Sequence, residues 1–294
     1  MLVEQLREQA GFSPIECSIA DYFLEVGDAL HDQSARSIAA RLHTAPSTVS
    51  RLCKRLGYEG YTDFRDAYLD ELRYLSSAFI SIDANQPFRK SDDARTIAAK
   101  IGTLYRETVD DTLQLTETEA LGRAVELVAN ARTVFVHSAG PQSYLAEDFV
   151  DKMARIGRRI VVVYKGDTSY FLASGVRPDE VFIELSYSGE TGNALRVAKR
   201  VKEAGGKLIA ITSYGRNTLS ELADVTLRVS TREKLVEKLG CYSMSISTML
   251  LLDVLYSCVL ARDYDRNVVR RVKITRSYEQ FRDSNNPILH DRRE

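Results

Sequence analysis

The chain has 294 residues, a formal net charge of −1, 44% hydrophobic and 28% charged residues. This is an ordinary soluble composition that suggests two domains and excludes a disordered, fibrous or globally basic protein, so any DNA binding must come from a local basic patch. The four cysteines, Cys17, Cys53, Cys241 and Cys258, form no CxxC pair and have no neighbouring His, which argues for reduced thiols rather than a zinc site or a disulfide scaffold.

Residues 1–80 read as an all-α domain. The start, MLVEQLREQA, is charged and lacks a signal-peptide core, so the expected location is cytoplasmic. Ser13-Pro14 with Glu16 has the spacing of a capping box, and Ile15, Ile19, Tyr22, Phe23 and Val26 follow on one helical face. Two short helices are predicted at 35–42 and 46–56, and a longer one from Tyr61.

The segment 34–58, SARSIAARLHTAPSTVSRLCKRLGY, has the form of a helix-turn-helix. Ile38, Ala39 and Leu42 supply the apolar face of one helix, and Val49, Leu52, Cys53 and Leu56 that of the next. It carries five basic residues (Arg36, Arg41, Arg51, Lys54, Arg55) and no acidic one. Arg36 on the first helix and Ser47, Thr48, Ser50, Arg51 and Lys54 on the open side of the second are the candidate DNA contacts. Hydroxyls at a helix start reach phosphates or base edges, and Arg and Lys supply phosphate contact or guanine readout. His43 occupies the turn position where glycine is common, and Ala45 the N-cap position where Ser is usual.

Residues 81–117 read as a polar linker, SIDANQPFRKSDD, followed by a connecting helix through Ile97, Ile101, Leu104, Tyr105 and Val109. From 118 to 284 the pattern becomes α/β. The strands TVFVHS, RIVVVY, EVFIELS, KLIAIT and DVTLRV are separated by helical stretches, which predicts a mostly parallel, helix-flanked sheet. Helices near 241–261 and 263–282 and a polar tail, 285–294, close the chain. The apolar run Met249–Ala261 is too short for a bilayer, so no membrane role is expected. The stripe Ile246, Met249, Leu250, Leu252, Leu255, Val259 predicts dimerisation through this domain or packing in its core.

Two loops follow strands and open helices. In Ser186-Tyr187-Ser188-Gly189-Glu190-Thr191, the hydroxyls of Ser186, Ser188 and Thr191 and the backbone freedom of Gly189 suit an anion at a helix N-terminus. Ser138, Gln142 and Ser143 in the other loop are candidates for a sugar hydroxyl or the far side of a phosphate. Neither loop fits GxGxxG or GxxxxGK[ST], and no cofactor is expected. Flavodoxins have a similar hydroxyl-rich loop, but after their first strand, and this chain has no Trp.

At these residues the chain resembles the RpiR family of bacterial regulators over nearly its whole length. The similarity runs through SPIECSIADYFLE and SIAARLHTAPSTVSRLCKRLGYEGYTDF, then AEDFVDKMARIGRRI, ELSYSGETGNALRVAKRVKEAGGKLIAIT and LADVTLRV. The resemblance implies a helix-turn-helix domain joined to a SIS-like phosphosugar-binding domain. It also implies operator DNA and a phosphorylated sugar as partners, and a homodimer or homotetramer. Ser186, Ser188 and Thr191 stand at the family's phosphate-binding hydroxyls, whereas Gln142 replaces the usual serine of the first loop and Ser143 comes one residue late. The rival reading is a sugar-phosphate isomerase, which needs an acid–base pair. His137 stands alone at a strand end in the sequence, and Glu190, Glu233 and Glu237 read as solvated helix-start residues. A binding module rather than an enzyme is therefore expected.

Overall fold

In the computed structural model, residues 2–77, 81–138, 142–278 and 288 are described. Two compact units divide the chain, one built on residues 1–82 and the other on 83–213 and 217–294.

The first unit is helical: α1 (Leu2–Glu8), α2 (Pro14–Val26), a 3₁₀ turn (Gly27–Asp32), α3 (Ala35–Arg41), α4 (Pro46–Arg55) and α5 (Tyr61–Ser77). The predicted capping box opens α2, with Ser13 N donating to Glu16 Oε2 at 2.8 Å. These hydrogen bonds, with Arg55 nearby, hold the Glu16 carboxyl below its ordinary range. The apolar faces converge on Leu6, Ile19, Phe23, Ile38, Val49, Leu52, Phe64 and Tyr68. Buried Glu71 on α5 accepts from Leu2 N and Val3 N, each at 2.8 Å, and so covers free donors at the start of α1.

His43 has φ +52°, and the turn is closed by Thr44 N to Ala39 O (2.9 Å) and His43 N to Ala40 O (3.4 Å), a Schellman motif. Gly57 (φ +92°) ends α4 in the same way, with Tyr58 N on Cys53 O. A side chain in the left-handed region is strained by roughly 1–2 kcal/mol. His43→Gly is therefore expected to raise the melting temperature by a few degrees, since glycine's extra chain entropy offsets only part of that relief. Calorimetry checks this, and a lowered melting temperature would show that the imidazole contributes more than its backbone strain costs.

The second unit holds the connecting helix α6 (Ala94–Gln114), then α7 (Thr118–Asn130), β1 (Thr133–Ser138), α8 (Ser143–Arg155), β2 (Ile160–Val163), α9 (Gly166–Ser174) and β3 (Glu180–Leu185). It continues with α10 (Gly192–Glu203), β4 (Lys207–Ser213), α11 (Thr218–Leu222), β5 (Val225–Val229), α12 (Tyr242–Ala261) and α13 (Tyr264–Tyr278). All five predicted strands form, in the all-parallel order β2-β1-β3-β4-β5. Alternation along the strands sends Val134, Val136, Ile183 and Ile211 to one face, with α7, α8 and α12, and Phe135, Phe182 and Ala210 to the other, with α9, α10 and α11. The order reverses between β1 and β3, and this places their carboxyl ends at the topological switch point.

Helix α6 packs along α12 through buried hydroxyl pairs, Thr108 with Ser243 (3.0 Å) and Thr112 with Ser247 (2.8 Å). Among the described residues, α12 is the one helix with the length and apolarity to cross a membrane. Leu252, Leu255 and Val259 of its apolar stripe are buried within this chain, while Met249 is exposed. Core packing thus accounts for much of the stripe that suggested a dimer helix.

Candidate functional site

On α4, residues three and four apart share a face. Val49, Leu52 and Cys53 go inward, which leaves Ser47, Arg51 and Lys54 exposed in one stripe, with Ser50 half-buried on its flank. Burial also pushes the Cys53 thiol up to about 12, so this cysteine behaves as a small apolar side chain. Arg36 on α3 is exposed. Thr48 corrects the expectation of an open position: it is buried, and its hydroxyl accepts from Arg51 Nη2 at 3.2 Å. One helical step separates it from Val49, toward the core. Arg55, also counted in the basic excess, is engaged elsewhere. It reaches Glu16 (2.9 Å) and Gly11 O (2.7 Å) and lies over Phe12.

In the second unit the two predicted loops leave adjacent strands. Ser138 stands in register with Leu185, so the loop after β1 and the loop beginning at Ser186 start side by side. Ser186 is buried and its Oγ lies 3.2 Å from Thr191 Oγ1. Ser188 is half-buried, its Oγ accepting from Glu190 N at 3.1 Å. Thr191 is the exposed N-cap residue of α10, yet its side chain makes no capping bond, so the hydroxyl is not consumed by the helix it begins. Gly189 has φ +68°, and a Cβ there would lie 2.1 Å from Asn217 Oδ1. Only glycine fits. Tyr187 points beneath the loop, where its hydroxyl donates to Glu233 O (2.9 Å) and accepts from Glu233 N (3.1 Å), and burial drives its pKa well up.

Of the first loop, Ser138 is buried at the end of β1 and Ser143 begins α8, while Ala139, Gly140 and Pro141 lie outside the described residues. Gln142 is buried and turns toward α12, with its Nε2 donating to Thr248 Oγ1 at 3.3 Å. Glu233 is a second correction. It is 6% exposed and caps α12 through Ser243 N (2.5 Å) and Met244 N (3.3 Å), rather than standing in solvent. Glu190 is exposed and accepts from Thr218 N at 2.7 Å, and exposed Glu237 pairs with Lys234.

His137 is the third correction. It is not alone, because Glu184 is its register partner on β3, and His137 Nδ1 lies 2.8 and 2.9 Å from the two carboxylate oxygens. Both side chains are 0% exposed. Burial pushes the Glu184 carboxyl up to about 7, with His137 pulling in the opposite direction. Beyond them Asn193, in the first turn of α10, sets its Nδ2 3.5 Å from His137 Nε2. Among the described residues no His/Cys/Asp/Glu cluster suited to a metal is present.

Residues 2–73 match the family model described as a helix-turn-helix domain of the rpiR family, and residues 127–258 match that of the SIS domain. An uncharacterized HTH-type transcriptional regulator of Caldanaerobacter subterraneus subsp. tengcongensis is 27% identical over 96% of this chain and 98% of its own. Another uncharacterized HTH-type transcriptional regulator, from Bacillus subtilis, is 25% identical over 86% of this chain and 87% of its own. Among solved structures, the Vibrio vulnificus NanR protein complexed with ManNAc-6P superimposes with a TM-score of 0.62 at 23% identity, covering 97% of this chain and 100% of that one. The sugar isomerase domain of an RpiR transcription factor from Sphaerobacter thermophilus has a TM-score of 0.54 at 20% identity and covers 61% of this chain and 98% of its own. At these identities the two structures establish a shared fold.

Proposed function

Because the chain belongs to the RpiR family of transcriptional regulators, with a helix-turn-helix domain ahead of a SIS domain, we propose that its first unit binds operator DNA and that a phosphorylated sugar held by its second unit changes that affinity. The carrying observation is the loop 186–191. It leaves β3 at the switch point, gathers three hydroxyls, and runs into a helix N-terminus that has no side-chain cap. An anion there meets backbone N–H groups and the positive end of the helix dipole. The sugar portion then extends toward the loop bearing Ser138, Gln142 and Ser143. The ManNAc-6P of the NanR complex supports a hexosamine phosphate as a first ligand to try.

On the DNA side, Ser47, Ser50, Arg51 and Lys54 of α4, with Arg36 of α3, form the reading face. The protein acts in the cytoplasm as a homo-oligomer, since two-fold symmetry matches paired half-sites. The isomerase reading is less well supported. Among the described residues, the acid–base pair near the loop is His137 with Glu184, which is sealed from solvent and whose remaining nitrogen faces Asn193.

Fluorescence anisotropy on the DNA upstream of the protein's own gene tests the DNA reading, with sugar phosphates added in a second series. Lys54→Ala is expected to weaken binding to every sequence and lower the salt slope by about one, as loss of a phosphate contact does. Arg51→Ala is expected to reduce discrimination between operator and random DNA by about 1–3 kcal/mol. Wild-type behaviour of both variants across the salt series would overturn this assignment.

A further inference from the structure

The pair His137–Glu184 occupies the sheet face covered by α9 and α10, directly under the anion loop: two residues beyond Glu184 along β3 is Ser186. Neutral side chains enclose it. Val163 of β2 flanks His137, Ala210 of β4 flanks Glu184, and α9 and α10 contribute Ala173, Val197 and Ala198 to the same face. The charged residues near the start of those helices, Lys165, Asp167 and Arg196, are exposed, with Arg196 over the Tyr170 ring. Among the described residues, Asn193 reaches the pair from the loop side. It leans over Gly166, where an added Cβ would lie 2.5 Å from Asn193 Nδ2. Glycine at 166 thus leaves room for this amide.

With His137 Nδ1 bonded to an ionised Glu184, the imidazole proton sits on Nδ1 and Nε2 is an acceptor. Asn193 Nδ2 lies 3.5 Å from Nε2 and can donate to it, which directs the amide oxygen away from the imidazole. If the pair gains one proton, Nε2 becomes a donor. Asn193 must then turn its oxygen inward and its NH₂ toward the loop, where an anion accepts from it.

We propose that Asn193 is a further ligand-contacting residue of this site and that the buried His137–Glu184 pair decides which end of its amide faces the ligand, so that anion binding takes up one proton. This rests on the reading of loop 186–191 as the anion site. Linkage is reciprocal: if the anion favours the protonated pair, acid favours the anion. A Glu184 carboxyl pushed up to about 7 puts the change in the range pH 6–8.

The test is calorimetric titration of the full chain with sulfate, whose charge is constant over that range. Wild-type affinity is expected to weaken about tenfold from pH 6 to pH 8, the most that one coupled proton across a pKa near 7 allows. Asn193→Ala is expected to bind sulfate roughly tenfold more weakly at pH 6, as for one lost bond to a charged group, and to lose the pH dependence. Gly166→Ala should act in the same direction by displacing the amide without removing it. His137→Gln should flatten the profile, and the two α9 and α10 variants keep the question open to test even if that core substitution fails to fold. Wild-type affinity and pH profile in both Asn193→Ala and Gly166→Ala would overturn the proposal, as would a flat wild-type profile. Ser188→Ala separates the two readings. If it loses sulfate while Asn193→Ala keeps it, the loop assignment stands and this inference falls. If neither loses it, or the wild type binds no sulfate, both fall.

Discussion

The double substitution Ser188→Ala with Thr191→Ala is expected to weaken sugar-phosphate binding by roughly a hundredfold or more, with each single change weakening it by about tenfold. A hydroxyl bond to a charged phosphate is worth about 1.5–3 kcal/mol, and 1.4 kcal/mol is a factor of ten. The geometry separates ligand loss from simple unfolding. Thr191 is exposed and makes no capping bond, its hydroxyl accepting from Ser186 Oγ at 3.2 Å, and Ser188 bonds within its own loop, to Glu190 N. Removing these hydroxyls keeps Gly189, Tyr187 and the strand beneath them and costs the loop the Ser186–Thr191 hydrogen bond, a loss that the melting temperature reads separately from affinity. The measurement is calorimetric titration with whichever hexose or hexosamine phosphate raises the melting temperature most in a screen, since a specific ligand stabilises by mass action. Undiminished affinity in the double variant, with a lower melting temperature, would mean that these hydroxyls serve only to hold the loop together.

Those hydroxyls were legible in the sequence because their signal is local: an apolar run, SxSGxT, then a helical period. The five strands and the two units were legible for the same reason, as was the turn at His43, where a non-glycine residue takes positive φ. Thr48 was misread because a helical face is decided by which of several apolar residues face inward, and one residue lies only about 100° from the next. Glu233 was misread because its position before a long helix suggested solvent, whereas the Tyr187 hydroxyl and the first N–H groups of α12 draw it inside.

The His137–Glu184 pair is the instructive miss. The two residues are 47 positions apart in the chain, and each alone looks like a strand-end residue. A signal was nonetheless present. Aligning TVFVHS with EVFIEL on their shared Val-Phe sets His137 opposite Glu184, which is the observed register. It required knowing that β1 and β3 are neighbours, with β2 on the other side of β1, a fact of topology that no local pattern carries.

His137→Leu is expected to destabilise the second unit by an amount that grows with pH above 7. The Glu184 carboxyl is raised from 4.5 to about 7 by burial, despite the imidazole that favours its charged form. A raised carboxyl contributes stability that is complete below its unfolded value and is lost as pH climbs through its folded value. The wild type therefore loses stability between pH 4.5 and about 7, and this group adds no further loss above that. Without His137 the folded value rises further, so the variant goes on losing about 1.4 kcal/mol per pH unit where the wild type has levelled off. Near pH 6 the difference is only a lost neutral hydrogen bond and some packing, roughly 1–2 kcal/mol. Near pH 9 it should approach the roughly 3–5 kcal/mol typical of a buried pair deprived of one partner. Adding Glu184→Met to His137→Leu removes the stranded carboxyl and fills its place with apolar volume, so the double variant should recover most of the stability and lose this pH dependence. Urea melts of the wild type, both single variants and the double variant at pH 6 and pH 9 decide it. A pH-independent penalty for His137→Leu would show that Glu184 stays protonated in the native protein at both values, and that the pair is held as a neutral hydrogen bond.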